Sequence, residues 1–72
     1  MTSKEYLGEL IILSGGVYLN NLDKDEIFSK VIDSISNGDK NLAETLIYWN
    51  VRDITRHNAA HIVLLCERYL NN

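Results

Sequence analysis

Ala59-Ala60-His61-Ile62-Val63-Leu64-Leu65-Cys66 is the segment from which the rest of the chain is best understood. From Ile62 to Cys66 the chain runs through more than one helical turn without a charge. A surface helix of a monomer normally shows one apolar stripe and one polar face. A helix apolar on nearly every side belongs at the centre of a fold, or gives its second apolar side to another chain. Ile62, Val63 and Cys66 are therefore expected to form a self-association surface, most simply in a twofold homodimer. A glutamate in place of an interfacial Val63 should then yield a folded monomer.

The remaining punctuation is helical. Thr2 and Glu5 have the spacing of a capping box. Tyr6, Leu7, Leu10, Ile11 and Leu13 follow at helical intervals, and Gly15-Gly16 supplies a stop. A rival reading folds Leu10–Leu13 and Val17–Leu19 into a β-hairpin around Ser14-Gly15-Gly16. The helix is preferred, because its cap is good and an isolated pair of strands is marginal. Asp23 is placed to cap a second helix, in which Ile27, Phe28, Val31, Ile32 and Ile35 share one face. Asn37-Gly38 ends it, and Asp39 restarts the chain in a tight corner. The third helix spans about Lys40 to Trp49. The fourth begins near Arg52 or Asp53 and reaches about Tyr69. Phe28, Val31, Ile32 and Trp49 are expected to form the core between the second and third helices.

Residues 1–72 are thus read as one all-α domain, a small bundle of three to four short helices with a central C-terminal helix. At this length a single core only just suffices without disulfides or metal. One cysteine forms no internal disulfide, and nothing points to an oxidising compartment. The apolar run Leu10–Leu13 is too short for a signal-peptide core, and no stretch approaches the roughly 18 apolar residues of a membrane span. A cytoplasmic protein with no membrane contact is expected.

Charge is mildly acidic, −3 overall, and unevenly placed. Lys4, Lys24, Lys30 and Lys40 face eight acids up to Asn50, whereas Arg52, Arg56 and Arg68 all lie beyond it. Such a balance argues against a broad nucleic-acid surface. It singles out the start of the last helix, where Arg52, Arg56, His57 and Asn58 are expected to meet a partner, an acidic protein surface in the first instance.

Sites for chemistry are few. Asp53, His57 and His61 fall at i, i+4 and i+8 and so align along one helix face, and two histidines four apart suit zinc. Further ligands are missing, so the plainer reading has Asp53 as a helix cap and the histidines at an edge. Cys66 has Leu64, Leu65 and Leu70 as neighbours, which describes a buried thiol rather than a nucleophile. Ser14-Gly15-Gly16 lacks the glycine-lysine pair of a phosphate loop. Asp23, Asp25 and Glu26 lack the glycine and distant glutamate of a calcium loop, and suit a helix N-terminus instead. No enzyme, metal or cofactor is expected.

Leu42-Ala43-Glu44-Thr45-Leu46 resembles the opening helix of a helix-turn-helix, and Ile54-Thr55-Arg56 the start of a recognition helix. The resemblance covers about a quarter of the chain. It implies DNA contacts from Arg52, Thr55, Arg56 and Asn58. Ile47 stands where the turn usually has glycine, and Ile54 falls one residue late. The favoured function is a small protein-binding module, an inhibitor, adaptor or regulatory subunit that occludes a partner's surface. Chains of this size and character include proteins carried by phages and mobile elements. The alternative is a small DNA-binding regulator using the start of the last helix.

Overall fold

A capping box opens the first helix. In the computed structural model, which describes residues 1–19 and 23–72, the Thr2 hydroxyl accepts from the Glu5 N–H (3.2 Å), and the Glu5 carboxylate accepts from the Thr2 N–H (2.9 Å). These bonds satisfy donors that a helix N-terminus otherwise leaves free. Helix α1 spans Ser3–Leu13. Gly15 ends it at φ +81°, a left-handed conformation that costs glycine little.

Strand β1, Val17–Tyr18, follows, and then α2, Lys24–Ser36. Asp23 holds the N-cap position of α2, its carbonyl accepting from the Ile27 N–H at 2.9 Å. Gly38 (φ +82°) turns the chain, and the Asp39 side chain accepts from the Leu42 N–H to start α3, Lys40–Asn50. Strand β2 is Val51–Arg52, and α4 is Arg56–Leu70.

The hairpin expected as a rival to the first helix does not form. Leu10–Leu13 stay helical, and β1 pairs antiparallel with β2, Val17 opposite Arg52 and Tyr18 opposite Val51. The pairing joins the ends of α1 and α3, which local sequence gives no means of foreseeing.

The last helix also starts later than its composition suggests. Val51 and Arg52 are extended, and Asp53 adopts φ +64°, so the helix cannot run through them. Thr55, not Asp53, is the N-cap, accepting from the Asn58 N–H at 3.0 Å.

Once formed, α4 packs against α1, α2 and α3. Ala59, Ile62, Val63 and Cys66 are buried together with Leu7 and Ile11 of α1, Phe28, Val31 and Ile35 of α2, and Ala43 and Ile47 of α3. Tyr69 stacks on Tyr6 with ring centroids 4.4 Å apart, and its hydroxyl donates to the Met1 carbonyl. The architecture is all-α, four helices with a minor two-stranded pair and a C-terminal helix at the centre. On its other side Leu64 stays at the surface, 43% exposed. Among the described residues no helix is long and apolar enough to cross a membrane.

One expected core residue is misplaced. Phe28 and Val31 are buried and Ile32 is half-buried, but Trp49 is 73% exposed. Ala43 and Ile47, four apart, form the inward edge of α3. Trp49 stands two residues beyond Ile47, about 200° around the helix, and so faces away from the core.

Candidate protein-docking surface

Residues expected at a self-association surface lie inside. Ile62, Val63 and Cys66 are 1%, 2% and 1% exposed, so their side chains are spent on intramolecular packing and present nothing to a second chain. Burial also pushes the Cys66 thiol up to about 11, so it is protonated at neutral pH and is no ready nucleophile.

The polar residues expected at the start of α4 reach the surface, but the arginines have local partners. Arg52 Nε lies 3.3 Å from Asp53. The Arg56 guanidinium lies 4.8 Å from the centre of the Tyr48 ring and 3.6 Å from the Glu44 carboxylate. His57 is exposed, and Asn58 is half-buried in the first turn. With Asp53 in the turn before α4, the expected alignment of Asp53, His57 and His61 along one helix is lost. Among the described residues no three His, Cys, Asp or Glu side chains converge on a point that could hold a metal ion.

A different surface emerges on α3. This helix carries two charges, Lys40 and Glu44, one turn apart. Both are drawn towards α4: Lys40 lies 3.6 Å from Glu67, and Glu44 pairs with Arg56. The outer half of α3 is left with Asn41, Leu42, Thr45, Leu46, Tyr48 and Trp49, none of them charged. Leu42 is 46% exposed, Tyr48 41% and Trp49 73%. Leu42 and Trp49 are seven residues apart and lie within about 20° of each other around the helix. Thr45 and Leu46, both half-buried, fill the stripe between them. Leu19 (59% exposed) extends it at the Trp49 end, where its N–H donates to the Asn50 carbonyl at 3.0 Å.

Depletion of charge with aromatic enrichment is the compositional mark of the core of a protein interface. Tryptophan, tyrosine and arginine are also the residues that most often anchor binding. Scaled by their exposures, Leu42, Tyr48 and Trp49 present on the order of 400 Å², taking about 200–250 Å² for a fully exposed large side chain. Scattered exposed apolar residues are ordinary, and a patch of this size is about that of the largest on a typical monomer, which often serves in binding. Arg56, over the Tyr48 ring, lies beside it as a polar rim.

Of these residues Trp49 was the one expected in the interior. The available signal was the placement of Lys40 and Glu44 on one side of the helical wheel, which leaves the opposite side neutral. That signal is ambiguous by itself, because Ala43-Ile47 and Leu42-Trp49 are both apolar stripes. No protein-family model matches the chain, and neither a curated protein nor a solved structure is significantly similar to it.

Proposed function

We propose that the chain is a non-catalytic protein-binding module, a small regulatory or adaptor protein that acts by covering a partner's surface. The observation that carries this reading is the neutral outer face of α3, with Trp49 73% exposed beside Leu42 and Tyr48. Trp49 serves as the anchor, packed against apolar side chains of the partner. Leu42, Leu46 and Tyr48 exclude water around it. Arg56 forms the rim, held in place by Glu44 and the Tyr48 ring. Rim charges of this kind steer encounter and discriminate between partners more than they add affinity.

The test is photo-crosslinking from within α3 in the cells that make the chain. Replacing Leu42 by a benzophenone-bearing phenylalanine should give protein adducts. The same replacement at Asp33, exposed on α2, should give far fewer. Equal labelling from both positions would remove the α3 face as a docking surface.

A further inference from the structure

We infer that the occupant of the α3 face is a second copy of this chain, its α3 packed antiparallel across a twofold axis. The inference rests on the reading above of this face as a protein-docking surface, and says what covers it in the free chain. An isologous interface places each residue of one copy against the reciprocal residue of the other, so the patch must suit itself. The chain carries 17 charged residues and a net charge of −3, so a face that carries them would set like charges against each other.

The outer half of α3 has no charge to oppose. Its two charged side chains are held along α4 by Glu67 and Arg56, away from the seam. Antiparallel pairing brings Leu42 of one copy against Trp49 of its partner, and Trp49 against Leu42. The axis then passes between Thr45 and Leu46, midway along the stripe. Thr45 is the small residue there that lets two helix backbones approach, at an interaxial distance of about 8–10 Å.

Area sets the strength. Leu42, Tyr48 and Trp49 with the half-buried Thr45 and Leu46 give on the order of 1,000 Å² across two copies, the lower limit for specific association. A weak dimer follows, populated in the micromolar range and dissociating on dilution. Since the seam is uncharged and the two bodies share a negative sign, added salt should not weaken it.

Trp49 is the chain's single tryptophan, so its fluorescence reports this surface alone. Sedimentation should be followed from about 1 µM to about 1 mM, the range that a weak interface of this size implies. Mass should rise from 8.2 kDa towards twice that value. Trp49 emission should shift to the blue and resist acrylamide quenching over the same range. Trp49→Glu and Leu42→Glu, both at exposed positions, should keep the helical circular dichroism and stay monomeric. Thr45→Cys should oxidise to a symmetric disulfide dimer, since the axis passes beside it.

A folded monomer with fully quenchable Trp49 at every concentration overturns the inference. A dimer unaffected by both glutamate variants overturns it too, by placing the contact elsewhere. If the purified chain is monomeric while crosslinks from Leu42 capture other proteins, the second copy fails and the protein-binding reading stands. A monomer without such crosslinks defeats both.

Discussion

Gly16 and Val51 touch so closely that a Cβ on Gly16 would stand 2.5 Å from Cγ1 of Val51. The same Cβ would lie 3.1 Å from Cγ2 of Ile11. Glycine at this point lets the end of α1 meet β2 and sets β1 in register with it. Gly16→Ala should lower stability by about 1–3 kcal/mol, the usual cost of overpacking. Gly16→Ala with Val51→Ala should cost less than the two single changes added together. A denaturant double-mutant cycle checks this, and strict additivity would show that the contact is not the cause.

The inward and outward faces of the helices predict opposite outcomes for large residues. Phe28→Ala should cost about 3–5 kcal/mol, a large share of the stability of so small a domain. Trp49→Ala, at a surface position, should change monomer stability by no more than about 0.5 kcal/mol. Val63→Glu buries a charge without a partner, and should unfold the chain rather than release a folded monomer. Thermal melts at low concentration separate these cases.

Alkaline pH should destabilise the fold through Cys66. Its thiol titrates at about 11 when folded, against the ordinary value of 9.0. Between these values the unfolded chain has lost a proton that the native chain retains, so stability falls as pH rises. Below about pH 8 this group contributes no pH dependence. Desolvation raises the Tyr18 hydroxyl in the same sense, from its ordinary 10.0. Cys66→Ala lowers stability through its cavity but should flatten the slope between pH 9 and about 11. An unchanged slope in that variant would assign the alkaline transition to other groups.

Arg56 should matter more to stability than Arg52. It touches both the Tyr48 ring and Glu44, whereas among the described residues Arg52 pairs with its exposed neighbour Asp53. Arg56→Ala should cost roughly 0.5–1 kcal/mol, part of it lost in high salt, and Arg52→Ala close to nothing. Urea midpoints at low and high ionic strength measure both terms.

Gly38 tests the corner between α2 and α3. It has φ +82° and, its two chain neighbours apart, no described atom within 4 Å of the site of a Cβ, so Gly38→Ala meets conformational strain alone. A loss of about 1–2 kcal/mol is expected. Gly38→Asn should recover part of it, because asparagine tolerates the left-handed region. Equal losses for both variants would point to a steric cause instead.

Several features were legible before any tertiary contact was known. The Thr2–Glu5 capping box, the Gly15 stop and the Gly38–Asp39 corner are each written within a few residues, because a helix end is satisfied by bonds three or four positions apart. The uncharged run from Ile62 to Cys66 likewise announced a central helix. Its surroundings were not legible: the same apolarity suits burial in one chain or between two, and only packing by α1, α2 and α3 shows that Ile62, Val63 and Cys66 are buried within the chain while Leu64 is left at the surface. Nor does local sequence reveal that Val51 and Arg52 join Val17 and Tyr18 in a sheet, since those segments lie more than thirty residues apart. That pairing delays α4 to Arg56 and takes Asp53 off the helix. On α3, two apolar stripes competed for the interior. Periodicity fixes which residues share a face, but the helices packed against α3 decide which face is buried, and they turned Ala43 and Ile47 inward and Trp49 out.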